Sequence, residues 1–180
     1  IEGRVPLIVG TGNCNYEAAF YNTSMAKHLG ADAALVVTPY YNKPTPEGIY
    51  RHFATVADEA DLPVVLYNVP GRAGVPISID TVVRLAQNTN VAAIKEAGGS
   101  VDRVSEILDH CRIQILSGDD SLTLPMMAVG ARGVISVASN LIRKELTEMC
   151  NFALDNNFNA AKVIHNKYYR LFCDLFIESN

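Results

Sequence analysis

Six short apolar runs, residues 7–9, 33–37, 63–67, 91–95, 113–116 and 133–137, recur along the 180-residue chain with helical patterns between them. Their last apolar residues, Val9, Val37, Leu66, Ile94, Leu116 and Val137, lie 28, 29, 28, 22 and 21 residues apart. That is the period of a strand, a crossover helix and two loops. The intervening stretches carry helix punctuation. Residues 16–29 run up to Gly30, which fits a C′ glycine. Thr45-Pro46-Glu47 supplies an N-cap, a proline at N1 and an acid in the first turn. Ser78 and Ser100 can cap helices over 79–87 and 101–110, and two helical stretches, 143–154 and 159–176, follow the last run. Repeated βα units mean a parallel sheet with helices outside it, either doubly wound or closed as a TIM barrel. Periodicity alone does not separate the two.

At 49% hydrophobic and 19% charged, the chain reads as globular and long enough for one core. A net charge of −4 argues against a general nucleic-acid binder, so an anionic substrate needs local cations. Cys14, Cys111, Cys150 and Cys173 are widely spaced without a C-x-x-C pair, and are expected as buried thiols of a reduced compartment. No apolar run approaches the ~20 residues that span a bilayer, and no signal peptide is visible, so the expectation is cytoplasmic with no membrane partner. The opening Ile1-Glu2-Gly3-Arg4 fits a protease-cleavage tag and a natural connector equally.

Side chains with chemical handles fall just after the strands: Thr11 and Asn13, Tyr40 and Tyr41, Tyr67 and Arg72, Lys95, Asp119 and Asp120, Ser136. Both candidate folds place their sites at that edge. No G-x-G-x-x-G follows a strand, which argues against a dinucleotide site. In Val91-Ala92-Ala93-Ile94-Lys95-Glu96-Ala97-Gly98-Gly99, four apolar residues predict a strand buried on both faces, with a lysine at its C-terminal end. Desolvation disfavours a charged lysine, and a neutral buried amine is the standard Schiff-base nucleophile. The residue alone also fits a lysine that snorkels out to pair with Glu96.

Tyr67 ends the third run, before Val69-Pro70 and an expected flexible loop, Gly71-Arg72-Ala73-Gly74. Neighbouring strands lie ~4.8 Å apart, so Tyr67 at the height of Lys95 could relay protons, or simply cap the core with its hydroxyl in water. Arg72 offers a planar fork for a carboxylate, or is a solvated loop arginine. Tyr40-Tyr41, between Pro39 and Pro44, suits an interface, a pocket rim or plain loop packing. In Ser117-Gly118-Asp119-Asp120, an N-cap role for Asp120 on a helix over 121–128 is favoured over a metal pair.

Tyr40-Tyr41-Asn42, Tyr67-Asn68-Val69-Pro70-Gly71-Arg72, Ile94-Lys95-Glu96-Ala97, Ser117-Gly118-Asp119-Asp120 and Gly133-Val134-Ile135-Ser136-Val137 resemble the successive strand-end motifs of the dihydrodipicolinate synthases. These belong to the pyruvate-dependent class I aldolase superfamily, with the N-acetylneuraminate lyases. The resemblance runs over essentially the whole chain. It implies a (β/α)8 TIM barrel, partial over residues 1–140, followed by a C-terminal helical region over 141–180. Lys95 would form the Schiff base with pyruvate, and Tyr67 would relay protons at that adduct. Tyr41 would enter the neighbouring subunit's site, and Arg72 would hold the carboxylate of L-aspartate-4-semialdehyde. The backbone of Gly118 and Ile135 would line the pyruvate pocket. The implied product is 4-hydroxy-tetrahydrodipicolinate, on the route to diaminopimelate and lysine. The implied assembly is a homotetramer built from dimers, with no metal or organic cofactor.

Against the family pattern, the chain starts at the third strand and stops before the final helices, so it is expected to be incomplete at both ends. Six of eight strands would leave two unpaired edges. Tyr40 matches a contact of the family's inhibitory lysine, whereas Cys14 and Ala18 stand where the family has Asn and Glu. The competing readings are another pyruvate aldolase acting on a sugar acid, and a non-catalytic fragment or homologue.

Overall fold

The computed structural model describes residues 2–178; Ile1 of the opening tetrapeptide and the last two residues of the expected helical region lie outside them. The chain forms two compact units. One comprises the chain up to Ile94 with Glu106–Ile113, the other Lys95–Ser105 with the chain from Gln114 onward.

In the first unit, strands β1 (Ile8–Gly10), β2 (Ala33–Val37), β3 (Val64–Asn68) and the start of β4 (Val91–Glu96) follow in chain order. β1 pairs parallel with β2, and β2 with β3 in a register that sets Val37 beside Tyr67. The crossover α1 (Tyr16–His28) is capped by Asn15, which accepts the Ala18 N–H, and Gly30 follows it at φ +86°. α2 (Pro46–Ala60) begins as expected, with the Thr45 hydroxyl accepting the Gly48 N–H. It buries Ile49, Phe53, Val56 and Ala57, and packs on α1 and on α4 (Ile79–Leu85), which Ser78 caps. The segment expected as a loop after Tyr67 is instead one helical turn, α3 (Pro70–Ala73). Proline fits its first position, and Gly74 stops it in the left-handed region at φ +83°.

In the second unit, the end of β4 is followed in order by β5 (Gln114–Ser117) and β6 (Gly133–Val134), which pair parallel. α5 (Val101–His110) starts at Ser100, whose hydroxyl accepts the Arg103 N–H. A 3-10 turn at Asp120–Leu122 leads into α6 (Thr123–Ala128), and α7 (Ser139–Leu154), kinked at Ile142, packs on α8 (Phe158–Asp174).

Four expectations need correction. β6 stops at Val134 rather than Val137. The Asp120 carboxylate takes the N–H groups of Val137 (3.2 Å) and Ala138 (3.0 Å), so the backbone there bonds a side chain in place of a ladder. For the same reason Asp120 is no N-cap: it is buried, aimed at the loop after β6, and caps nothing. Ala92 is exposed, so β4 is not buried on both faces along its whole length. Of the cysteines, none is fully buried: Cys14, Cys111 and Cys150 are half-buried, and Cys173 is exposed because α8 turns it outward. Burial still pushes the Cys150 thiol up to about 11.

Candidate active site

The strand-end residues divide between the two units. Tyr40, Tyr41, Tyr67 and Arg72 belong to the first; Lys95, Gly118, Asp119, Asp120 and Ile135 belong to the second.

In the first unit, Tyr67 is held by its backbone. Its carbonyl accepts both the N–H (3.0 Å) and the hydroxyl (2.9 Å) of buried Thr38, which ties the ends of β2 and β3 together. Buried Asn68 accepts the Ile77 N–H at 2.9 Å, clasping the segment that contains α3. α3 presents Arg72 on its exposed side. The Tyr40–Tyr41 loop is strained. An Asn42 N–H bond to the Tyr40 carbonyl (2.8 Å) folds three residues into a γ-turn, with Tyr41 at its centre at φ +71° and 92% exposed. The aliphatic stem of Lys43 crosses Gly74, where an added Cβ would lie 3.0 Å from the Lys43 Cε. Three other candidates are absorbed by local structure. Thr11 bonds Thr23, Asn13 accepts the Asn15 N–H, and Ser136 caps the start of α7 through the Ser139 N–H. A cavity of about 380 Å³ opens beside Cys14, Asn42, Arg51 and His52, and neither Tyr67 nor Arg72 lines it.

In the second unit, Lys95 is 9% exposed at the end of β4. The space for its stem comes from Gly118: a Cβ there would stand 2.5 Å from the Ala97 Cβ and 3.0 Å from the Lys95 Cε. The Gly118 N–H bonds the Glu96 carbonyl at 2.7 Å, and the Ile135 N–H bonds the Ser117 carbonyl at 2.9 Å. The ends of β4, β5 and β6 are thus tied in sequence around the lysine stem. Burial pushes the Asp119 carboxyl above its ordinary value; a Gly99 N–H bond and Lys95 draw it back, while Glu96 and Asp120 raise it further. Beneath this edge Glu96 is fully buried and paired with Arg103 at 2.9 Å. Sequence reading noticed Glu96 only as a neighbour of Lys95 and missed Arg103. A helix cap followed three residues later by a basic side chain was the available signal.

Gly118→Ala is expected to drive Ala97 and the Lys95 stem apart. Overpacking of this kind costs ~1–3 kcal/mol. Thermal melts should show that loss, and imine trapping with a keto acid should slow in parallel.

βα units in unbroken succession, with a buried lysine at a strand's C-terminal end, describe an α/β enzyme scaffold. The chain matches the Dihydrodipicolinate synthetase family over residues 1–180 and belongs to that family. It is 54% identical over 180 residues to the 4-hydroxy-tetrahydrodipicolinate synthase of Sulfurihydrogenibium sp. (strain YO3AOP1), covering 98% of this chain and 61% of that protein. It is 50% identical over 181 residues to the synthase of Aquifex aeolicus (strain VF5), covering 99% of this chain and 62% of the relative. The crystal structure of dihydrodipicolinate synthase from Aquifex aeolicus superposes with a TM-score of 0.97, covering 99% of this chain and 62% of that one at 50% identity. The 4-hydroxy-tetrahydrodipicolinate synthase of Methylacidiphilum fumariolicum SolV gives 0.98 at 46% identity, over 99% of this chain and 61% of that one. The chain therefore spans about three fifths of the length of these relatives. Of the two sheet architectures, the six βα units are those of a partial (β/α)8 barrel. Among the described residues no helix is long and apolar enough to cross a membrane.

Proposed function

We propose that the protein containing this chain condenses pyruvate with L-aspartate-4-semialdehyde to give 4-hydroxy-tetrahydrodipicolinate, for diaminopimelate and lysine synthesis in the cytoplasm. The observation that carries this reading is Lys95, nine-tenths buried at the end of β4 with a glycine opposite its stem. The names of the relatives support the choice of reaction. The Lys95 amine attacks the pyruvate carbonyl carbon, and loss of water leaves a protonated imine. That imine is an electron sink, so the pyruvate methyl gives up a proton and the resulting enamine attacks the aldehyde. Tyr67 relays protons at the adduct, and Tyr41 completes the relay in a neighbouring subunit of a homotetramer built from dimers. Arg72 holds the aldehyde substrate's carboxylate, and the backbone of Gly118 and Ile135 lines the pyruvate pocket. Tyr40 lies at a regulatory lysine contact. The barrel portion runs to residue 140, and the helical region follows.

The test is turnover by the complete protein of pyruvate with aspartate semialdehyde, set against cleavage of sialic acid or keto-deoxy sugar acids. Activity on the sugar acids alone would overturn the proposal. Within it, Arg72→Ala should leave pyruvate adduct formation intact while raising the aldehyde KM and lowering kcat. A charge-assisted hydrogen bond to a carboxylate is worth about 1.5–3 kcal/mol, or roughly 10- to 150-fold in kcat/KM. Steady-state kinetics in both substrates check it.

A further inference from the structure

We propose that Glu96 and Arg103 form a positioning pair that holds the β4 terminus and compensates charge behind Lys95; this rests on the Lys95 reading above. Adjacent residues of a strand point to opposite faces, so Glu96 leaves β4 on the side away from the lysine stem. There it is 0% exposed, with one carboxylate oxygen on the Arg103 Nε at 2.9 Å and the other on the Gly98 N–H at 2.7 Å. The Glu96 carbonyl receives the Gly118 N–H at 2.7 Å, the glycine whose missing Cβ makes room for the Lys95 Cε. The next residue of the turn, Gly99, sits at φ +76° and donates its N–H to the Asp119 carboxylate. One connected line thus runs from Arg103 through Glu96 and the Gly98–Gly99 turn to Asp119, fastening both strand ends that flank the lysine.

Stability does not account for such a pair. Replacing a buried ion pair with apolar groups of similar volume is often neutral or stabilising, whereas removing one partner strands a charge. Fixing geometry and charge is the remaining role. The charged side chains gathered at these strand ends are Lys95 and Glu96 from β4, Arg103 from α5, and Asp119 and Asp120 after β5. Glu96→Gln would leave Arg103 as an uncompensated cation, which disfavours a second positive charge at Lys95.

The experiment follows borohydride trapping of the pyruvate imine in the complete protein across a pH series, for wild type, Glu96→Gln and the double variant Glu96→Gln/Arg103→Met. In Glu96→Gln the trapping rate should fall about 10- to 100-fold and its midpoint should move to lower pH. The double variant should return the midpoint to the wild-type pH, because the stranded cation is gone, while the rate stays low. The aldehyde KM should hold. A Glu96→Gln protein that traps at the wild-type rate with an unmoved midpoint overturns the proposal, as does a folded double variant with wild-type rate. Failure of both variants to fold would assign the pair to folding alone and overturn it too. If wild type itself traps no imine, the Lys95 reading falls first and takes this one with it.

Discussion

Pyruvate and borohydride, added to the complete protein, are expected to leave a stable secondary amine on Lys95 and on no other lysine. Peptide mass analysis locates it. The amine must be neutral part of the time to attack a carbonyl, and burial at the end of β4 favours the neutral form. Lys95→Ala should abolish the label and reduce turnover on the order of 10⁴- to 10⁶-fold, the scale of losing a covalent nucleophile. Circular dichroism should show the fold intact. Lys95→Arg should fail equally, since a guanidinium stays protonated and forms no imine. A label on Lys43 or Lys144, or full activity in Lys95→Arg, would sink the aldolase mechanism.

Mixed oligomers are expected to recover activity that neither parent has. Tyr41 is 92% exposed at the centre of a γ-turn. Left-handed backbone at a bulky residue costs of order 1–3 kcal/mol and is found where a site uses it. An aromatic held outward in this way is suited to another subunit. Tyr41→Phe should lower turnover about 10²- to 10⁴-fold, the range for a lost proton relay. Co-expressed with Lys95→Ala subunits, it should regain activity, because a mixed pair assembles one site with both groups. Hybrids as inactive as their parents would end the shared-site reading.

What could be read from the sequence was whatever is encoded locally. β2 falls on the five residues expected, an unbroken apolar run bounded by polar ones. The caps at Thr45 and Ser78 are where short-range hydrogen-bonding chemistry places them. Lys95 declared itself by its cost, as a lysine set among buried residues. The failures are non-local. Nothing near Val137 announces that its N–H belongs to Asp120, and nothing near Asp120 announces that its carboxylate skips the following helix. Arg103 reads as an ordinary helix-surface residue until the turn at Gly98–Gly99 brings it onto Glu96. The turn of helix at Pro70–Ala73 was hidden by two glycines, which suggested a loop, although Pro70 was already in place to start it.

The Asp120 clasp has a consequence for how the chain tolerates insertion and deletion. Its carboxylate closes a loop of 17 residues without a covalent bond. Closing a flexible loop costs entropy as about (3/2)RT ln n, roughly 2.5 kcal/mol at that length before the constant term. Hydrogen bonds to a charged group contribute about 1.5–3 kcal/mol each, so the two here are of the size needed to offset closure. Doubling the loop would add only about 0.6 kcal/mol. The α6 segment can therefore grow at little entropic cost, provided its ends still meet, whereas loss of one carboxylate at Asp120 unfastens both.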